Sequence, residues 1–77
     1  MRYKVIITEN DSENDFYKRA NSLRHAVKMF RASVEAGDYW DGENRTITAE
    51  VAIYSDDDFF DEFVDCEDVT ATYKGKK

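Results

Sequence analysis

Residues 22–37, SLRHAVKMFRASVEAG, decide the architecture, because they carry an unbroken helical period. Leu23, Ala26, Val27, Phe30 and Val34 recur at i, i+3, i+4, i+7 and i+11, the spacing of one buried stripe. Ser22 can cap the start by accepting a hydrogen bond from a free backbone N–H. Gly37 can close the end in the left-handed conformation. Arg24, Lys28 and Arg31 fall on a neighbouring face of the helix.

On both sides of this helix the period changes to two. Residues 46–54, TITAEVAIY, put Ile47, Ala49, Val51 and Ile53 on one face and Thr48 and Glu50 on the other. Residues 2–9, RYKVIITE, likewise set Tyr3, Val5 and Ile7 against Arg2, Lys4 and Thr8. Both stretches read as strands. Residues 10–15, NDSEND, hold turn formers and acids, so the chain reverses there. Phe16–Arg19 then reads as a short second strand paired with the first, or residues 15–20 as a lead-in to the helix. Residues 38–45, DYWDGENR, read as a loop with a turn at Asp41-Gly42. Residues 68–73, DVTATY, read as a final strand, and residues 74–77 as a frayed tail.

Residues 55–65, SDDDFFDEFVD, have the pattern of a short acidic helix. Ser55 would cap it, with the acids at 56–58 near the positive end of its dipole. At 100° per residue, Asp57, Asp58, Asp61, Glu62 and Asp65 gather on one side and Phe59, Phe60, Phe63 and Val64 on the other. Glu67 would fall on the apolar side, so this helix should end near Asp65. The expected fold is α+β: a small antiparallel or mixed sheet of three to four strands, with one main helix and one short acidic helix. The 77 residues form one expected domain, 1–77, without repeat or linker.

Charge is the chain's most uneven property. Residues 1–34 carry seven Lys/Arg and four Asp/Glu, whereas residues 35–73 carry thirteen Asp/Glu and only Arg45 as a base. Three lysines follow in the tail, and the net charge is −6. A one-signed field over half of a small domain selects basic partners. It also opposes direct contact with nucleic acid or an anionic membrane. A domain this small buries only about 60% of its unfolded surface, so a homodimer interface could add to its core. The single Cys66 has no partner for an internal disulfide, which fits a reducing cytoplasm. No apolar run is long enough for a signal peptide or a membrane span. The N-x-S/T triplets at Asn10 and Asn44 therefore read as chance matches.

Two acidic clusters are the candidate partner-binding residues. The first is Asp56, Asp57, Asp58, Asp61, Glu62 and Asp65; the second is Glu35, Asp38, Asp41 and Glu43 around Tyr39 and Trp40. Like charges at i, i+4 oppose a helix by a few tenths of a kcal/mol per pair, and a basic partner would compensate them. The bland reading is a solvated face that serves solubility. Trp40 either meets a cationic surface, through apolar burial and cation–π contact, or folds back as a lid on the core. The Arg24/Lys28/Arg31 row either binds phosphate or RNA or is a solvated face.

Metal and enzyme chemistry have little support. Asp11, Glu13 and Asp15 match the opening of a calcium loop, but its sixth position is Phe16 and its twelfth Ser22. His25 lies off the apolar stripe beside arginines, poorly placed for a general base. Cys66 stands between Asp65 and Glu67, which disfavour its thiolate. No glycine-rich phosphate loop occurs. The expectation is a non-enzymatic protein without cofactor or metal.

In size, acidity, expected α/β layout and aromatic-acid loop, the chain resembles the small acidic anti-CRISPR and anti-restriction inhibitors of bacteriophages. Several of those present carboxylates in place of DNA phosphates. The resemblance is one of composition and transfers no site residue. It implies an inhibitor in the host cytoplasm that binds a basic nucleic-acid-binding protein, such as a CRISPR effector or a restriction enzyme. The alternative is a structural or adaptor module that homodimerises or pairs through a sheet edge.

Overall fold

The structure, a computed structural model, describes residues 2–37, 45–56 and 61–73, with only the main chain of Tyr17, Arg45 and Asp56. Its elements are β1 (Tyr3–Glu9), β2 (Ser12–Ala20), α1 (Leu23–Ala36), β3 (Arg45–Asp56) and β4 (Asp61–Tyr73). The class is α+β. The strands form one sheet in the order β2-β1-β3-β4, and every neighbouring pair is antiparallel.

Alternation decides which side chains face α1. Val5 and Ile7 of β1, Phe16 and Ala20 of β2, and Ile47, Ala49, Val51 and Ile53 of β3 are all buried. Val69, Ala71 and Tyr73 complete the floor from β4. Ala26, Val27, Phe30 and Val34 of α1 close over them, the stripe expected from the helical spacing. At about 25 cal/mol per Å², burial of this set is the main force that holds helix to sheet.

The ends of α1 are closed as their residues predict. Ser22 Oγ accepts the His25 N–H at 3.1 Å, and His25 Nδ1 accepts the Asn21 N–H at 3.1 Å. Two N–H groups at the helix entrance are thus satisfied, in a variant of the capping box in which the His25 side chain reaches the residue before the N-cap and not the N-cap itself. Gly37 takes φ 79° and returns its N–H to Val34 O. A Cβ there would stand 2.7 Å from Cε1 of Tyr73. This contact fixes the path of α1, which starts beside Ala20, paired with Tyr3, and ends against the last residue of β4.

Two expectations need correction. The first reversal takes two residues, not six. Asn10 and Asp11 both have positive φ, 52° and 66°, and β2 starts at Ser12 opposite Glu9. Asn and Asp tolerate this conformation, and two such residues match the twist of a hairpin. Ser12–Asp15 are exposed on both faces of this edge strand, even Asn14 opposite the buried Ile7, so they enter β2 without an alternating signal.

The second correction removes the acidic helix. β3 runs on to Asp56, β4 starts at Asp61, and the two strands pair from Arg45↔Tyr73 to Asp56↔Asp61. Ser55 lies within β3, and its Oγ accepts the Glu62 N–H at 3.2 Å between the paired strands. The segment fits both periods, and the partner decides between them. The outer edge of β3 pairs with Asp61–Asp65, whereas a helix there would need a core for its apolar side. Phe63 and Val64 have none: they are 53% and 46% exposed. Asp57, Asp58, Phe59 and Phe60 lie outside the described residues, as do the loop at 38–44 and the tail at 74–77.

Gly37→Ala should therefore destabilise the protein. The left-handed backbone alone costs about 1–2 kcal/mol for an L side chain, and displacement of Tyr73 adds to it. A lower urea midpoint is expected, and an unchanged midpoint would refute this account of the helix end.

Candidate acidic partner-binding surface

The surface begins with a mismatch between α1 and β4. Beside Tyr73 the helix covers β4, and Val69, Ala71 and Tyr73 are buried. Further along, Asp65 and Glu67 are in phase with them, opposite Ile53 and Val51, yet both are exposed. Glu62, opposite Ser55, is exposed as well. On the other face of the strand, Asp61, Phe63, Asp68, Thr70 and Thr72 are exposed and Cys66 is half-buried. Asp61–Asp68 thus shows acids on both faces, and it contains no Lys or Arg.

Cross-strand register organises the open face of the sheet into rows. Lys4, Tyr54 and Phe63 form one row, and Tyr54 meets Phe63 edge-on at 5.6 Å between ring centroids. Ile6, Ala52 and Cys66 form the next, an apolar strip in which Ala52 is 2% exposed. Glu13, Thr8, Glu50 and Asp68 form the third and span all four strands. Beyond it, the hydroxyls of Thr48 and Thr70, and of Thr46 and Thr72, are 3.0 and 3.2 Å apart and hydrogen-bonded.

Only one described ion pair binds these acids to a base. Lys4 Nζ meets Asp61 Oδ2 at 2.9 Å, and this bond holds the Lys4 pKa above its ordinary value. Partial burial pushes the Cys66 thiol up first, and the carboxylates of Glu50, Asp65 and Asp68 add to it. Cys66 N–H donates to Asp65 Oδ1 at 2.8 Å, so the residue is tied into the acidic surface. A thiol so placed is a poor nucleophile near neutrality.

The expected site residues are divided by the structure. Asp61, Glu62 and Asp65 are brought together on β4, and the main chain of Asp56 lies opposite Asp61. Glu35 sits near the C-terminus of α1, toward the far end of β4, on the order of 25 Å from Asp65 by strand rise. Asp38, Tyr39, Trp40, Asp41, Glu43, Asp57 and Asp58 lie outside the described residues. Arg24, Lys28 and Arg31 do form a row, along a shallow open groove of about 500 Å³ that includes Val27, Ala32 and Glu35.

Glu50, Glu67 and Asp68 belong to the surface but were missed. Their signal is strand phase: once 61–73 is read as a strand beside 45–56, Glu50 and Asp68 become direct neighbours. The sequence shows both strands but not that they are neighbours, nor their register. Among the described residues, no group of three or more His, Cys, Asp or Glu is arranged to hold a metal. No described helix is long and apolar enough to cross a membrane. Fold and surface together define a small α+β protein with a one-signed, acidic edge strand on a four-stranded sheet. No protein-family model, curated protein or solved structure matches the chain.

Two outcomes follow from this geometry. Alkylation of Cys66 should be slower than that of free cysteine at pH 8, with its rise displaced to higher pH. Glu50→Gln with Asp68→Asn should move the profile back down; a profile equal to that of free cysteine would contradict the assigned environment. Asp68→Thr removes a like-charge cross-strand pair and extends the threonine ladder. It should raise stability by about 0.2–1 kcal/mol, read from the urea midpoint.

Proposed function

We propose that this chain is a non-enzymatic binding protein whose acidic edge strand occupies the basic, nucleic-acid-binding surface of another protein. The observation that carries the reading is the state of Asp61–Asp68. Five acids, Asp61, Glu62, Asp65, Glu67 and Asp68, lie exposed on a segment that contributes no side chain to the core. Glu50 and Asp68 face each other directly, an arrangement that costs stability. Solubility would be served equally well by acids spaced apart. A basic surface repays their crowding.

The spacing suits a substitute for phosphates. Asp65 and Glu67 share a face, and two residues of strand rise separate them by about 6.6 Å. A DNA strand advances about 3.4 Å along its axis per phosphate while it winds round that axis, so the separation of the pair is of the same order as that between phosphates. Phe63 and Val64 supply exposed apolar area beside the charges, the part of an interface that charge alone does not provide. In this reading the partner class is that of the phage anti-defence inhibitors, a CRISPR effector or a restriction enzyme in the host cytoplasm. Steering by the acidic field gives association that weakens with salt.

The test is retention of proteins from the host lysate on the immobilised chain at low salt, followed by a salt gradient. One dominant nucleic-acid-binding protein, displaced by added DNA, is expected. Asp65→Lys, Glu67→Lys and Asp68→Lys together should weaken that retention roughly tenfold or more, with thermal unfolding confirming that the variant is folded. Unchanged retention would overturn the proposal. Concentration-dependent dimers in sedimentation, without salt-released partners, would favour the adaptor reading in its place.

A further inference from the structure

We infer that the outer edge of β4 captures a partner by strand addition, and that its occupant is an extended segment of a protein rich in Lys or Arg. The inference rests on the proposed acidic binding role and names how the partner is held.

The sheet has two edges, and they are not equivalent. On β2 the register slips between Lys4↔Arg19 and Ile6↔Asp15, so that edge is irregular where a new strand would have to pair. Such irregularity blunts an edge. β4 has its own slip, but near its start: Ile53 pairs with Asp65 and Tyr54 with Phe63, which leaves Val64 as the extra residue. From Asp65 to Tyr73 the register with β3 is regular, Asp65↔Ile53 through Tyr73↔Arg45. Over these nine residues of regular strand no described strand pairs with the outer N–H and C=O groups, and the Cys66 N–H is held by Asp65 Oδ1. Main-chain pairing of that length is the basis of peptide recognition by strand addition.

The side chains select the occupant. On the helix side, an added strand would place successive same-face residues beside Asp65 and Glu67, and then beside the buried Val69 and Ala71. On the open side it would lie beside Cys66, Asp68 and the outermost threonines, Thr70 and Thr72. Two bases two residues apart, followed by small or β-branched residues, complement that order. A second copy of this chain would bring its own acids to the same seam, in a pair that already carries −6 on each member. A basic strand neutralises the seam instead. Phe63 and Val64, exposed at the bulge, would lie beside the end of the added strand where pairing stops.

The experiment uses the full chain and a synthetic eight-residue peptide of alternating Lys and Val, blocked at both ends. Its partner probe is the same peptide N-methylated at every second residue, which keeps the charge but cannot complete the ladder. Titration is followed by amide chemical shifts and hydrogen exchange. The unmethylated peptide is expected to bind, more weakly as salt rises, and to protect alternate amides of β4 between Asp65 and Tyr73. The methylated peptide should bind roughly tenfold or more weakly, because the ladder bonds are lost. Equal binding of both would overturn strand addition and leave the acidic binding role standing. Protection on β2 would also overturn it. Binding of neither peptide would remove strand addition and the acidic role together. Equal binding of a Glu-Val peptide would overturn the selection for basic strands.

Discussion

A single helix cannot cover this sheet, and the rest of the molecule follows from that shortfall. Fourteen residues of α1 extend about 21 Å, whereas the thirteen residues of β4 extend about 43 Å. Close contact of Gly37 with Tyr73 fixes which half is covered. The core collects where helix and sheet overlap, at Phe30, Val34, Ile47, Val51 and Val69. Past Asp68, toward Asp61, β4 has only β3 for support. A strand in that position can keep its place through main-chain bonds but has no apolar layer to join, so charge there is tolerated on both faces.

Charge is sorted along the same lines. Arg24, Lys28 and Arg31 stand on the outer flank of α1, and the acids occupy the open sheet face and the uncovered half of β4. Like charges could be gathered in each place because neither place is core. Lys4 is the one described link from the basic half of the sequence to these acids, through Asp61. It pins the far end of β4 to β1 with an exposed pair, a weak tether by the usual measure.

Legibility in the sequence followed the overlap. Where a residue meets the core, its period was plain: the α1 stripe, the alternation of 46–54, and Val5 and Ile7 were all readable, as were Ser22 and Gly37 at the ends of the helix. Where burial does not constrain the chain, the pattern was ambiguous. Residues 61–65 fit a helix as well as a strand, because Phe63 and Val64 face solvent and so carry no record of the period. The N-terminal part of β2 was obscure for a related reason, since an exposed edge strand needs no alternation. The acidic character of the site was visible from composition. Its membership was not, because Glu50, Glu67 and Asp68 join it only through the register of β4 on β3.

Because Asp61–Asp68 is held by backbone pairing and buries no side chain in the core, its sequence is largely released from the demands of folding. Most substitutions there leave the packing of Phe30, Val51 and Val69 untouched. Evolution can therefore revise the recognition chemistry of this edge residue by residue, with little loss of the margin that keeps so small a protein folded. A half-covered strand makes the molecule adaptable: its framework is fixed on one side of Asp68 and its surface is free to diversify on the other.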